Sequence, residues 1–279
     1  MLVRCWGSRG SIPVSGPEYC RYGGDTTCVE VRSREGDLII LDAGTGIRNL
    51  GDRLIREKTR KVNILFTHLH LDHIMGLPFF NPIYNRKFSI NIYGCPFKVS
   101  SFETALHGIM KSPYFPVDLR QLPARVRFKD IMTKSFNIGS VKIKPIYLNH
   151  PNGGLGYRLE ENGKVFVFLT DNELGYDLPG SQPFEYYQDF CRGADLLIHD
   201  AEFDREEYKK FRAWGHSMYT EAVELGIKAG VKRLGLFHIH NRRTDTQLES
   251  FLKDSKRIID KNGCGMECFI VGNQFEINV

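Results

Sequence analysis

The sequence predicts an α/β fold in which two β-sheets pack together and carry functional groups along one edge. Three observations lead there. Short apolar runs recur along the 279 residues and alternate with helix-like stretches. In both halves of the chain, candidate metal-binding side chains follow directly on such runs. No linker or low-complexity stretch divides the chain, and neither half repeats the other in sequence. Residues 1–279 are therefore read as one domain.

Composition narrows the function classes. Hydrophobic residues make up 42%, ordinary for a globular core. The formal charge of +5 suits an anionic substrate but is too small to argue for nucleic acid. The seven cysteines are scattered and odd in number, which argues against a disulfide framework and for buried thiols in a reducing cytosol. Met1-Leu2-Val3-Arg4-Cys5-Trp6 lacks the apolar core of a signal peptide, and no run is long enough to span a membrane. A cytoplasmic protein without a membrane partner is expected, and a homodimer stays open.

Residues 1–6 read as the first strand, followed by the turn-rich Gly7-Ser8-Arg9-Gly10-Ser11-Ile12-Pro13. Cys28–Arg32 and Asp37–Leu41 are the next strands, the latter ending in Asp42-Ala43-Gly44-Thr45-Gly46. This Gly-x-Gly lacks the third glycine of a nucleotide loop and instead lets the chain turn into a helix over Ile47–Glu57. Asp42 alone reads equally as a helix cap or turn residue. Val62–Phe66 is a buried apolar strand that delivers Thr67-His68-Leu69-His70-Leu71-Asp72-His73. Ile74–Pro78 then reads as a short helix stopped before the proline.

Pro78–Arg86 is loop-like, Phe88–Tyr93 a strand, and Phe97–Met110 a helix with Phe102, Leu106 and Ile109 on one face. Two prolines keep Ser112–Val117 irregular. Arg125–Phe128 and Val141–Leu148 are strands, the second ending in Asn149-His150-Pro151. Strands at Gly156–Leu159 and Val165–Leu169 follow, the latter ending in Thr170-Asp171. Pro183–Cys191 reads as a helix, and Asp195–Ile198 as a buried strand running into His199-Asp200-Ala201-Glu202. Helices at Arg205–Phe211 and Tyr219–Ala229 flank Gly215-His216-Ser217. Strand Arg233–Phe237 ends in His238-Ile239-His240. Helix Asp245–Lys261 and strands Cys268–Val271 and Phe275–Ile277 complete the chain.

Three histidines and an aspartate within six residues are the strongest chemical signal, since the whole chain holds nine histidines. On an extended strand end His68 and His70 point the same way. Asp72 and His73 follow the turn and can face a neighbouring point. Two nearby pairs of such ligands suit two adjacent ions better than one. Imidazole with carboxylate selects zinc, iron or manganese over magnesium or calcium. Alone, His150, Asp171 and His238 are weak candidates; the first cluster lends them weight because it needs partners to complete two coordination spheres.

His-Leu-His-Leu-Asp-His resembles the His-x-His-x-Asp-His signature of the metallo-β-lactamase superfamily. From Gly7-Ser8-Arg9-Gly10-Ser11 onward the chain looks like its phosphodiesterase branch, near ribonuclease Z and the phosphonate-pathway cyclic phosphodiesterase. The resemblance implies a four-layer αββα sandwich of two mixed β-sheets flanked by helices. It implies two divalent metal ions (Zn, Mn or Fe). One is held by His68, His70 and His150, the other by Asp72, His73 and His238, and Asp171 bridges them. Asp42 then supports the ligands from behind. His238 is preferred over His240 because it directly follows its strand.

The resemblance also implies a catalytic set of His216, oriented by Asp200, together with Asp72. Such an imidazole stabilises charge on phosphorus or protonates the leaving alkoxide. The competing reading of His216 is a helix-start residue near solvent, and His199 reads as structural. Met218 stands where the family has threonine, which puts a secondary hydroxyl contact in doubt. An insert over about 95–130 is expected to border the cleft, with Tyr114, Phe115 and His107 as substrate contacts; the competing reading is that these rings cover the core. The implied activity is hydrolysis of a small or cyclic phosphodiester, or a nucleotide, by a metal-bridging hydroxide. A ribonuclease Z-like tRNA nuclease is the alternative, disfavoured because no basic, glycine-rich arm is visible. A diiron oxygen-binding or sensor protein is a third reading, opposed by His70, where such relatives carry glutamate.

Overall fold

The computed structural model describes residues 1–97, 99–176, 180–273 and 275–279. Among the described residues, fourteen strands form two seven-stranded sheets. The first sheet takes β1 (Leu2–Gly7), β2 (Cys28–Arg32), β3 (Leu38–Leu41), β4 (Lys61–Leu65), β5 (Ser89–Gly94) and β6 (Arg125–Asp130), with β14 (Glu276–Asn278) beyond β1. The second takes β7 (Phe136–Ile138), β8 (Val141–Tyr147), β9 (Leu155–Glu161), β10 (Lys164–Leu169), β11 (Leu196–Asp200), β12 (Arg233–Phe237) and β13 (Glu267–Ile270), side by side in chain order.

The sheets share one plan. From β14 through β3 neighbours are antiparallel, and from β3 to β6 they are parallel. From β7 to β10 neighbours are again antiparallel, and from β10 to β13 parallel. Parallel neighbours require crossovers, and the helices that make them cover the outer faces. Those helices are α1 (Ile47–Arg56), the single turn α2 (Leu71–Ile74), α3 (Phe102–Ile109), α4 (Phe184–Cys191), α5 (Arg205–Phe211), α6 (Tyr219–Lys228) and α7 (Asp245–Lys261).

The burial pattern explains the apolar runs. Ile39 and Leu41 face the space between the sheets, against Phe166, Phe168 and Ile198. Ile40 and Ile64 face outward, against Leu50, Leu54, Phe102 and Leu106. On the far side Leu197, Leu234 and Leu236 meet Tyr187, Val223 and Leu248. Strands buried on both faces lose polar alternation, so Leu38-Ile39-Ile40-Leu41 reads as a continuous apolar block. The order of layers is thus helix, sheet, sheet, helix, as the resemblance implied.

Several local expectations need correction. The helix expected over Ile74–Pro78 lies earlier, at Leu71–Ile74, and includes Asp72 and His73; Pro78 sits in the first turn of a 3₁₀ helix at Leu77–Phe79. Proline needs no N–H partner there, so it opens a turn instead of closing one. A second 3₁₀ turn at Asn81–Tyr84 replaces part of the expected loop. The helix expected over Phe97–Met110 starts at Phe102, because Ser101 accepts the Thr104 N–H as its N-cap; residue 98 lies outside the described residues. Strand β7 was not foreseen; its three residues give almost no periodic signal.

Candidate metal centre

Loops after the carboxyl ends of β3, β4, β10, β11 and β12 converge at one edge of the sandwich, joined by the turn between β8 and β9. Asp42 follows β3, the His68–His73 cluster follows β4, and His150 lies in the β8–β9 connection. Asp171 follows β10, Asp200 ends β11 and His238 follows β12. The chain reverses sharply at three of these points, where Asp42, Asp171 and His238 take φ values of 61°, 53° and 53°. Left-handed backbone at residues with a β-carbon is costly, and its concentration here marks a constrained site.

Among the described residues, two groups of donor atoms form around Asp171, and a third, with Asp200 and His216, overlaps them through Asp171 and His238. His68, His70, His150 and Asp171 make one; Asp72, His73, His238 and Asp171 make the other. Asp171 Oδ2 lies 3.6 Å from His68 Nε2 and 3.7 Å from His150 Nε2. Its Oδ1 lies 3.2 Å from both His73 Nε2 and His238 Nε2. One carboxylate therefore turns one oxygen to each group. Asp72 Oδ2 completes the second group, 3.3 Å from His73 Nε2 and 3.2 Å from His238 Nε2. In the first, His70 Nδ1 and His150 Nε2 face each other at 3.0 Å.

The outer nitrogens of His68, His73, His150 and His238 are occupied. His73 Nδ1 is 2.9 Å from Asp42 Oδ2, His238 Nδ1 is 3.0 Å from Glu202 Oε2, and His150 Nδ1 is 3.1 Å from the Gly215 carbonyl. Thr67 Oγ1 donates to Asp42 and stands 3.0 Å from His68 Nδ1, leaving its lone pairs for that ring. Protons on Nδ1 place the Nε2 lone pairs inward. His68 Nε2 and His73 Nε2 are buried and have no hydrogen-bond partner. Buried nitrogens without partners, aimed at shared carboxylate oxygens and fixed from behind, could hold divalent metal ions. Zinc, manganese and iron all accept it.

Electrostatics follow from burial and crowding. Burial would raise the Asp171 carboxyl, but His238, His73 and His68 hold it well below the usual range. Burial drives His150 down to about 3, only partly opposed by Asp171, so its ring is neutral and free to donate a lone pair. His216 goes the other way. Burial would depress it, yet the carboxylates of Glu202 and Asp200 hold it up to about 9. Its Nδ1 lies 2.7 Å from Asp200 Oδ2, and its ring stacks on His238 with centroids 4.7 Å apart. His216 is 9% exposed and precedes helix α6, which starts at Tyr219, so it is no solvent-facing helix start.

Other expected residues distribute unevenly. Asp42 does not cap α1, whose N-cap is Gly46; it binds Thr67 and His73 instead. His199 is buried in β11, within hydrogen-bond reach of Asn172 and the Asp200 carbonyl. His240 joins neither donor group; its Nδ1 accepts from the Arg242 N–H. A cleft of about 220 Å³ opens beside His68 and His70, lined by Leu69, Cys95, Phe97 and Val99. Cys95, Phe97 and Val99, from the stretch expected to border the cleft, thus line it. Tyr114, Phe115 and His107 do not line this cleft: Tyr114 is 78% exposed, Phe115 packs on Phe79, and His107 binds Asp118 at 2.9 Å.

Sequence reasoning missed Glu202, Glu173 and the Ser11 backbone. Glu202 stands two residues after Asp200 in an extended segment, a spacing that puts both on one side. Glu173 accepts the Ala213 and Gly215 N–H groups at 2.8 Å each, tying the His216 loop to the Asp171 loop. Ser11 N donates to Asp72 Oδ2 at 2.8 Å, a main-chain contact with no side-chain signature.

Residues 38–239 match the family described as beta-lactamase superfamily domain. The chain is 28% identical to ribonuclease Z of Methanosarcina acetivorans over 266 residues, covering 82% of this chain and 86% of that one. It is 30% identical to ribonuclease Z of Sulfurisphaera tokodaii over 264 residues, with the same coverages of 82% and 86%. The metallo-beta-lactamase fold protein YhfI from Bacillus subtilis superposes with a TM-score of 0.73 at 18% identity, over 99% of this chain and 98% of that one. A diphosphatase from the PhnP family gives 0.69 at 18% identity, over 100% and 97%. At such identities these structures attest to the fold.

Proposed function

This chain belongs to the beta-lactamase superfamily, and from that premise we propose that it is a dinuclear metal-dependent phosphodiesterase acting on a small or cyclic phosphodiester. His68, His70 and His150 would hold one divalent cation, and Asp72, His73 and His238 the other. Asp171 would give one oxygen to each, and Asp42 would fix His73 from behind. When bound, such a pair supplies Lewis acidity beside phosphorus and a water acidic enough to attack it.

The observation that carries the reading is His216. A hydrolase that expels an alkoxide needs a proton donor, and the carboxylates of Glu202 and Asp200 beside this imidazole favour its protonated form. Asp200 holds its Nδ1–H at 2.7 Å, which leaves the other ring nitrogen to give a proton to the leaving oxygen. The cleft of about 220 Å³ supports a small substrate. Residues 1–279 are taken as one functional domain, supported by the core shared between the sheets. Seven unpaired cysteines support a cytoplasmic setting, and among the described residues no helix is long and apolar enough to cross a membrane.

The test is hydrolysis of bis(p-nitrophenyl) phosphate by manganese- or zinc-loaded protein. His216→Ala is expected to lower kcat by about 100- to 10,000-fold with little change in KM. Metal-loaded protein that cleaves no phosphodiester would remove the proposal. A second reading, a tRNA-processing nuclease, is favoured by the ribonuclease Z relatives. Cleavage of a tRNA precursor in preference to small diesters would select it.

A further inference from the structure

Two carboxylates meet two stacked imidazoles behind the donor groups, and counting protons assigns them. The rings of His216 and His238 are within 12° of parallel, with centroids 4.7 Å apart. Asp200 Oδ2 is 2.7 Å from His216 Nδ1 but 3.9 Å from His238 Nδ1. Glu202 Oε2 is 3.0 Å from His238 Nδ1 and 3.2 Å from His216 Nδ1. A ring nitrogen carries one proton, and the shorter contact commits that of His216 to Asp200. Among the described residues, the donor that then remains to Glu202 Oε2 is His238 Nδ1–H, at 3.0 Å.

We propose that Glu202 is the positioning residue of His238: it fixes the Nδ1–H tautomer and aims Nε2 at the metal position shared with Asp72, His73 and Asp171. His238 Nε2 lies 3.2 Å from both Asp72 Oδ2 and Asp171 Oδ1, so a tilt of the ring would spoil both approaches. Glu202 is itself held. It is 4% exposed, its N–H donates to Asp200 Oδ1 at 3.1 Å, and its carbonyl accepts from Arg243. The first of these bonds, with a Ser217 N–H to the same oxygen, reserves Asp200 Oδ2 for His216. Asp42 plays the matching part for His73. His73, His238 and His216 thus each have a different carboxylate at shortest range: Asp42, Glu202 and Asp200.

This assignment rests on the proposed reading of His238 as a ligand. The test counts bound ions per chain by mass spectrometry after dialysis against Mn²⁺ or Zn²⁺, with affinity read by competition against a chelating dye. Wild type is expected to hold two. Glu202→Leu is expected to bind the second about 10- to 100-fold more weakly. Glu202→Gln, whose amide oxygen still accepts from Nδ1–H, is expected to recover most of that loss. Asp200→Asn is expected to keep both ions while losing turnover. Folded Glu202→Leu protein with wild-type affinity for both ions would overturn the role, as would loss of the same ion in Asp200→Asn. If Glu202→Leu does not fold, Glu202→Asp serves: withdrawing the carboxylate by one methylene should weaken the second ion, and wild-type affinity would overturn the role. Failure of the underlying reading looks different: His238→Ala would then retain both ions, or wild type would hold fewer than two.

Discussion

At the residue scale, the site is a set of imidazoles of which His68, His73, His150 and His238 are each pinned by an outer hydrogen bond so that the inner nitrogen points at a shared carboxylate. Asp42 shows why chemistry and backbone are inseparable there. Its φ of 61° turns the chain, its Oδ1 accepts the Thr67 N–H, and its Oδ2 accepts from Thr67 Oγ1 and His73. Asparagine tolerates the left-handed backbone but presents an NH₂ group to donors. Asp42→Asn is therefore expected to fold and to bind metal about 10- to 100-fold more weakly, as read by dye competition. Unchanged affinity would remove Asp42 from the support of His73. Asp72→Ala removes a donor common to His73 and His238. It is expected to lose one ion and most turnover; retention of both ions would break the ligand assignment.

At the element scale, loops rather than strands decide geometry. The loop before α6 carries His216 and supplies the Gly215 carbonyl that holds His150. Gly215 has φ +92°, and a β-carbon there would lie 2.0 Å from His150 Nδ1. Gly215→Ala is expected to displace His150, and with it the ion held by His68 and His70; metal counting reads the loss. Helix α6 also carries a titratable feature. Glu221 accepts the Met218 N–H at its start. Burial pushes its carboxyl up to about 7, opposed by that hydrogen bond and reinforced by Glu173 and Glu224. A raised carboxyl binds more protons folded than unfolded between pH 4.5 and about 7, so stability falls as pH rises through that window. Glu221→Gln keeps the cap without the charge. It is expected to be more stable than wild type at pH 8 by on the order of 1–3 kcal/mol and not at pH 5, by urea unfolding. Equal stability at both pH values would show that Glu221 titrates normally.

Elements buried on two faces were the legible part of this fold, because Leu38-Ile39-Ile40-Leu41 and Leu196-Leu197-Ile198 are unbroken apolar blocks and Asn63 alone interrupts the run from Val62 to Phe66. What could not be read was set by contacts distant in sequence. Strand β7 exists because β8 offers it an edge. Helix α3 starts five residues late because Ser101 caps it. The Thr67–His73 cluster was legible from spacing alone, whereas Glu202 emerges only when the ring of His238 is placed against it. Tyr114, Phe115 and His107 were drawn toward the cleft by analogy of position; the local contacts of Phe79 and Asp118 hold two of them elsewhere.

At the scale of the whole molecule, two sheets of the same pairing plan bring the carboxyl ends of their parallel strands to one edge. The first sheet contributes Asp42 and the His68–His73 cluster; the second contributes His150, Asp171, Asp200 and His238. Folding thus concentrates buried carboxylates and imidazoles at one point, and the proposed cations would balance the carboxylate charge. Chelation is therefore expected to lower the melting temperature by several degrees. Each site filled at about 100 to 1,000 times its Kd contributes about 3–4 kcal/mol to the folded state. A melting temperature indifferent to chelator would mean that the fold does not depend on metal.

The central claim is that both sheets meet over a pair of cations joined by Asp171. Anomalous diffraction from crystals soaked in Mn²⁺ or Zn²⁺ tests it most directly. The expected result is two peaks about 3.5–4 Å apart, one beside Asp171 Oδ1 and the other beside Asp171 Oδ2. A single peak, or two that Asp171 does not join, would contradict it.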